Sequence, residues 1–345
     1  MKRYWRFVRR YPLPIWAGFA TLGALQWRHI TQRPPPPIDE SQSHLHDLGG
    51  VPKISLSQEL AIECYKILPL RSLSRAWGWV NEIDLPEPLR PAILGLYARV
   101  FGCNVGEAME PDLKSYANLG QFFRRRLRPE CRPIEACPQT MVSPCDGRVL
   151  TLGPVAKDGY IEQVKGVRYS LRYFFGGELP SQTFEHDAGQ LYYAVIYLSP
   201  GDYHGFHSPV EWTILKRKHF SGHLLSVSPS MVKNVPGLFS LNERVIYEGV
   251  WNDERFFSYS AIGATNVGSI RVDWDNGLVT NRKRHPVPVD EKLFSEVKLV
   301  KGKGEYFGEF NLGSTIVLVF EAPESGKFQV DIGDKVKLGE PLFKS

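Results

Sequence analysis

The chain has 345 residues, a formal net charge of +5, 43% hydrophobic and 23% charged residues, and a mean hydropathy of −0.24. These values sit near globular averages and exclude a wholly disordered, collagen-like or polytopic membrane protein. The positive charge gathers before Asp39, at Lys2, Arg3, Arg6, Arg9, Arg10, Arg28 and Arg33, so it points to targeting or topology and not to a nucleic-acid partner.

Residues 1–38 stand apart. Tyr11 to Trp27 carries no charge, which is at the lower limit for a helix that crosses a bilayer. Flanking arginines and Tyr11, Trp16 and Trp27 suit the two interfaces. A single transmembrane segment is expected, followed by the polyproline spacer Pro34–Pro37. Residues 39–55 read as a polar linker. His44 and His46 fall in it and are read as solvated, and no metal site is expected. Five cysteines, Cys64, Cys103, Cys131, Cys137 and Cys145, include no C-x-x-C pair and are read as free thiols.

The body is expected over 56–345, with a helical part to 132 and a β part from 133. Helical spacing of apolar residues predicts helices over 56–68, 72–82 and about 88–101, with a capping-box pattern at Asn104 and Glu107. A further helix is predicted over 115–127, ending in Phe122, Phe123, Arg124, Arg125, Arg126 and Leu127. That run allows two readings: contact with an anionic membrane surface, or phenylalanines on the body with arginines in water.

Beyond Pro133, short alternating runs bounded by Gly, Pro, Asp and Asn predict strands: GRVLTLG, YIEQVKGVRYSL, YYAVIYLSP, ERVIYEG, FFSYSAIG, SIRVDW, STIVLVFEA and KFQVDI. Residues 176–190 read as a loop, and Gly333-Asp334 as a turn between two short strands.

Three places carry candidate chemistry. Asp146 stands in SPCDGRV, where Asp-Gly before a strand marks a turn. His204 and His207 stand three apart in YLSPGDYHGFHSP, after an apolar strand, and suit acid–base work near neutrality. Ser314 follows Gly313 in FNLGSTIVLVF and opens a strongly apolar strand. Gly268-Ser269 is a rival Gly-Ser pair. Asp146, His207 and Ser314 together are the inventory of an activated serine. Whether that serine attacks a substrate or its own backbone is open at this point.

The segments RSLSRAWGWVNEIDLP, NLGQFFRRRLRP, SPCDGRVL, VKGVRYSL, YLSPGDYHGFHSP, NERV, IGATNVGSIRV and FNLGSTIVLVFEAP make the chain resemble the mitochondrial, animal-type phosphatidylserine decarboxylases over about residues 71–345. The resemblance implies a pyruvoyl cofactor made from the chain itself. Ser314 would attack the Gly313 carbonyl, and β-elimination would leave a β chain ending at Gly313 and an α chain 314–345 that begins with the pyruvoyl group. Asp146, His207 and Ser314 would be the self-cleavage triad. His204 would serve decarboxylation in proton transfer, on a Schiff base between pyruvoyl and the substrate amine.

The implied partners are phosphatidylserine, the lipid bilayer and the chain's own α and β products as a heterodimer. The implied place is the mitochondrial inner membrane, single-pass, with the N-terminus in the matrix and the body in the intermembrane space. The implied fold is α+β: a helical layer on a mostly antiparallel β body resembling a lipoyl/biotinyl-type sandwich. Cys145 departs from the small residue expected beside Asp146. Three competing readings are a serine hydrolase, a carrier module using Lys335, and a pyruvoyl enzyme for a free amino acid.

Overall fold

A computed structural model describes residues 69–164, 167–177, 189–252, 254–265, 269–282, 288–294, 299–311 and 314–345. The apolar segment 11–27, the spacer, the linker 39–55, the expected helix 56–68, Cys64 and most of loop 176–190 lie outside these residues. Apart from 228–230, the described residues belong to one compact unit. Among them no helix is long and apolar enough to cross a membrane.

Helix α1 spans Leu70–Asn81 and α2 spans Arg90–Phe101, close to the expected segments. Pro91 stands in the first turn of α2, where its missing N–H costs nothing. The helix stops at Gly102, whose φ of 71° is the left-handed cap that glycine adopts without strain. The expected helix over 115–127 is much shorter: α3 spans only Leu119–Phe123. Asn118 starts it, its side chain accepting from Gln121 N.

The Phe-Phe-Arg run then leaves helical geometry and bridges Leu127 to Ala108. Phe122 and Phe123 are buried. Arg125 is also buried and donates to Gly201 O at 3.0 Å. Arg126 stacks its guanidinium 3.3 Å from the Tyr306 ring centroid. The phenylalanines lie on the body, as the second reading expects, but of the arginines Arg125 is buried, whereas the Arg126 side chain stays 39% exposed.

The β part comprises β1 (Thr140–Val142), β2 (Gly147–Pro154), β3 (Tyr160–Val164), β4 (Val167–Ser170), β5 (Gly189–Leu198), β6 (Gly205–His207), β7 (Trp212–Phe220), β8 (Arg244–Trp251), β9 (Arg255–Ile262), β10 (Ile270–Arg271), β11 (Val289–Leu293), β12 (Leu299–Lys301), β13 (Tyr306–Phe310), β14 (Ser314–Pro323), β15 (Lys327–Phe328), β16 (Lys335–Val336) and β17 (Pro341–Lys344). Among the described residues the largest sheet has the order β11-β7-β8-β9-β14-β5-β2-β16, with β12 also on β7. Its pairings are antiparallel. The fold is therefore α+β with mostly antiparallel sheets, as expected.

Strand β14 is the spine. It pairs with β5 from Ser314↔Leu198 to Pro323↔Gly189, and with β9 from Thr315↔Ile262 to Phe320↔Phe257. Both of its faces are buried. Ile316, Leu318 and Phe320 join a core with Phe206, Tyr247, Tyr259 and Phe307. Val317 and Val319 join a second core with Phe174, Phe239 and Ile246. Burial on both faces explains why this strand reads as a continuous apolar run. Each such side chain contributes about 1.5–3 kcal/mol.

Strand β7 was not legible from alternation. Its Arg217 is buried, donating to Asp275 Oδ2 at 2.8 Å and Asp290 Oδ2 at 2.5 Å. His219, also buried, pairs with Glu243 Oε1 at 2.9 Å. Inward-facing charged residues break the period-2 pattern, and only distant partners make them affordable inside. Cys103, Cys131, Cys137 and Cys145 carry free thiols.

Candidate active site

The antiparallel registers bring the three chemistry-bearing segments to one end of the sheet. Ser314 opposes Leu198, the last residue of β5. On the other side of β5, Tyr197 opposes Arg148 of β2. Asp146 thus sits at the head of β2, the histidine loop leaves the end of β5, and Ser314 opens β14, all at the same edge. Side chains alternate along a strand, so Ser314 faces the core side with Ile316 and Leu318. That core also contains Cys145 and Phe206, neighbours of Asp146 and His207.

Asp146 is presented by a tight turn in which Ser143 Oγ donates to Cys145 O at 2.8 Å. Gly147 must be glycine here, because a Cβ would lie 2.5 Å from Tyr197 O. The Asp146 carboxylate accepts from Arg132 Nε at 2.8 Å, Arg132 Nη2 at 2.5 Å and Leu338 N at 2.9 Å. Cys145 beside it is fully buried, and burial pushes its thiol pKa up.

The histidine loop is braced from several sides. Asp202 Oδ2 accepts from Ser199 N and Oγ at 2.7 and 2.5 Å. Tyr97 of α2 donates to Pro200 O at 3.0 Å. His204 O accepts from Phe310 N at 3.0 Å, and His207 N donates to Pro144 O at 2.8 Å. The helical layer therefore has a definite task in this site: it holds the loop.

His204 is fully buried, 4.0 Å from the Phe123 ring. Its Nδ1–H donates to Asp202 O at 2.9 Å. That leaves Nε2 as the basic nitrogen, buried and without a hydrogen-bond partner. Burial pushes its pKa down to about 3. His207 donates from Nδ1 to Gly304 O at 2.9 Å, so its Nε2 accepts from the Tyr203 hydroxyl at 3.2 Å. Burial lowers the His207 pKa to about 4, opposed by the Gly304 carbonyl and the Asp146 charge. Both imidazoles are neutral at physiological pH.

Ser314 is fully buried, and its Oγ has no hydrogen-bond partner among the described residues. Leu312 and Gly313 lie outside the described residues. The rival, Ser269, is already engaged: its Oγ accepts from Asn311 Nδ2 and its carbonyl from Asn311 N at 3.0 Å.

The segments that carry the expected site residues thus meet at one end of the sheet. The site side chains are not linked by hydrogen bonds to one another: Asp146 is held by Arg132 and Leu338, and His207 by Gly304 and Tyr203. Sequence reasoning overlooked Tyr203, although it lies inside the histidine motif, and Arg132, whose partner is fourteen residues away across a turn. A pocket of about 210 Å³ is lined in part by Arg75, Trp79, Glu82, Arg124, Ser269 and Asn311, of which Asn311 stands three residues before Ser314 in the chain.

A sequence model of the family described as phosphatidylserine decarboxylase matches residues 119–344. A Pongo abelii protein named phosphatidylserine decarboxylase proenzyme, mitochondrial, is 45% identical over 316 residues, covering 84% of this chain and 75% of its own. A Rattus norvegicus protein of the same name is 40% identical over 360 residues, covering 97% and 84%. A Saccharomyces cerevisiae protein named phosphatidylserine decarboxylase proenzyme 1, mitochondrial, is 37% identical over 365 residues, covering 81% and 73%.

Proposed function

The chain belongs to the phosphatidylserine decarboxylase family, and from that premise we propose that it is a self-cleaving, pyruvoyl-dependent enzyme that converts phosphatidylserine to phosphatidylethanolamine and CO2. The observation that carries this reading is the Ser314 hydroxyl, fully buried and unpartnered at the head of the central strand. A hydroxyl so placed is poorly accessible to an incoming ester, which speaks against a serine hydrolase. It lies one peptide bond from the Gly313 carbonyl, which needs no access route.

In this reading His207, a neutral imidazole, takes the Ser314 proton through Nε2 after parting from Tyr203. Asp146 offsets the positive charge that develops on the ring. Ser314 Oγ adds to the Gly313 carbonyl carbon, and the Gly313–Ser314 C–N bond breaks to leave an ester with a free amine. β-Elimination releases the Gly313 carboxylate, and hydrolysis of the remaining enamine expels ammonia, leaving pyruvoyl at position 314. The pyruvoyl carbonyl supplies the electron sink that the carbanion left by CO2 loss requires. His204 Nε2, basic and unpartnered, carries a proton to or from the substrate carbon.

The pocket beside Asn311 is the proposed seat of the polar headgroup, with Arg75 and Arg124 on its wall. Asn311 and Ser314 are three residues apart, hence no more than ~11 Å along the chain. The proposed division is a β chain to Gly313 and an α chain 314–345, held as a heterodimer. The short strands β15, β16 and β17 around the 331–334 turn support a lipoyl/biotinyl-type sandwich for this part of the body. Residues 1–38 are proposed to anchor the protein in the mitochondrial inner membrane with the N-terminus in the matrix and the body in the intermembrane space. The mitochondrial naming of the relatives and the uncharged run 11–27 support this. Exposed Leu73, Trp79, Ile93 and Leu96 on α1 and α2 support contact with the bilayer.

Intact mass of the purified protein, with and without Ser314→Ala, tests the proposal. A fragment 314–345 starting with a pyruvoyl group, absent from the variant, is expected. A single unbroken wild-type chain under conditions that yield decarboxylase activity would overturn it.

A further inference from the structure

The Asp146 carboxylate is held by Arg132 and not by a histidine. Arg132 is itself buried, with 6% of its side chain exposed. Nε and Nη2 fork onto the two Asp146 oxygens, Nη2 also reaches Glu107 Oε2 at 2.7 Å, and Nη1 donates to Cys131 O at 2.7 Å. Each guanidinium nitrogen is used, and two carboxylates share the one charge. On the far side, Lys337 Nζ lies 3.8 Å from Glu107 Oε1. Leu338 N completes the grip on Asp146.

The charged and titratable groups facing Asp146 are therefore Arg132 directly, and Tyr203, His207 and Cys145 through space. His207 N donates to Pro144 O at 2.8 Å, two residues before Asp146, which brings the two segments together with no hydrogen bond between the Asp146 and His207 side chains.

We propose that Arg132 is a positioning residue for self-cleavage, fixing the Asp146 carboxylate beside His207 so that its charge favours the imidazolium formed when Ser314 is deprotonated. The inference rests on the reading of Asp146 and His207 as self-cleavage residues. A fork holds a carboxylate in both position and plane, which a point charge does not. Without it only Leu338 N holds the carboxylate, through Oδ1 alone, and the second oxygen and the carboxylate plane lose their aim on the ring. Because Leu338 belongs to the proposed α chain and Arg132 to the β chain, the same grip spans both products.

The experiment times self-cleavage of the full-length chain as it is made in a cell-free system. Arg132→Gln is expected to slow cleavage at least tenfold. Arg132→Lys, which keeps the charge and loses the fork, is expected to fall between, three- to tenfold below wild type. Thermal melts of each substitution on the uncleavable Ser314→Ala chain report folding separately.

Arg132→Gln cleaving within twofold of wild type overturns the proposal, and faster cleavage overturns it by making Arg132 a brake. If the Arg132→Gln chain does not fold, Arg132→Lys decides alone, and its cleaving at the wild-type rate overturns the proposal. Asp146→Asn cleaving normally would remove Asp146 from self-cleavage and sink the underlying reading as well. Asp146→Asn blocked beside an unaffected Arg132→Gln would sink only the inference about Arg132.

Discussion

The Tyr203 hydroxyl donates to Nε2 of His207 across 3.2 Å, while Nδ1 of the same ring is held by Gly304 O at 2.9 Å. The ring is thereby fixed at both nitrogens, with its basic atom capped by a neutral, buried donor. The Tyr203 pKa is raised to about 12 by burial, so the cap is a hydroxyl and never a phenolate at physiological pH. Tyr203→Phe removes one hydrogen bond worth about 1 kcal/mol. It is expected to leave self-cleavage in place, slowed by no more than roughly tenfold. His207→Ala should abolish it. Time courses of chain cleavage on a denaturing gel compare the two, and a Tyr203→Phe chain as inert as His207→Ala would make the hydroxyl part of the proton path.

His204 is expected to separate the two reactions. His204→Ala should cleave at least in part, because the Ser314 proton goes to His207, yet show little decarboxylation. An uncleaved His204→Ala chain beside a cleaved His207→Ala chain would exchange their roles.

The same two histidines set an acid sensitivity. Their folded pKa values, about 3 and about 4, lie below the ordinary 6.5 because burial opposes the charged ring. The unfolded chain therefore binds protons that the folded chain does not. Their contribution to stability is fully present above pH 6.5 and is lost as pH falls through about 6.5 toward about 4 and then about 3. Each lowers stability by up to about 1.4 kcal/mol per pH unit inside that window. Urea midpoints of the Ser314→Ala chain should fall between pH 6.5 and 4.5, and His204→Asn should flatten the fall.

Cleavage should not release the α chain. Strand β14 begins at Ser314 and is paired on both sides, with β5 and β9, and its core faces are buried. Further on, β16 pairs with β2 and β17 with β1. The two products are expected to co-elute in size exclusion under native conditions and to separate only in denaturant. Separation in native buffer would contradict the ladder as the holding element.

The exposed apolar residues of α1 and α2 should matter for lipid in bulk and not for the chemistry. Leu73 and Leu96 are 38% and 58% exposed and lie outside the proposed headgroup pocket. Replacing both by Glu is expected to raise KM severalfold on phosphatidylserine vesicles while leaving kcat unchanged. A short-chain, soluble phosphatidylserine should be turned over as before. Equal losses on both substrates would assign these residues to the body's stability instead.

Much of this molecule was legible in the sequence because local rules were enough. Short apolar or alternating runs bounded by turn residues marked β2, β5, β8, β9 and β14, and helical spacing placed α2 within a few residues. The motifs singled out Asp146, His204, His207 and Ser314 as the proposed site residues, and the resemblance they carry implied the proposed chemistry. Those signals depend on a residue and its near neighbours in the chain.

Tertiary structure alone decided the rest. Strand β7 went unread, and α3 was expected too long, because Arg217, His219 and Arg125 are inside, and a buried charge is stable only beside a partner supplied from elsewhere in the chain. Likewise the sequence named Asp146, His204, His207 and Ser314, but the registers β2–β5–β14 determined that their segments meet at one end of the sheet. The Arg132 fork, the Tyr203 cap and the burial of the Ser314 hydroxyl followed from that meeting, since hydrogen-bond partners and desolvation belong to positions in space and not to positions along the chain.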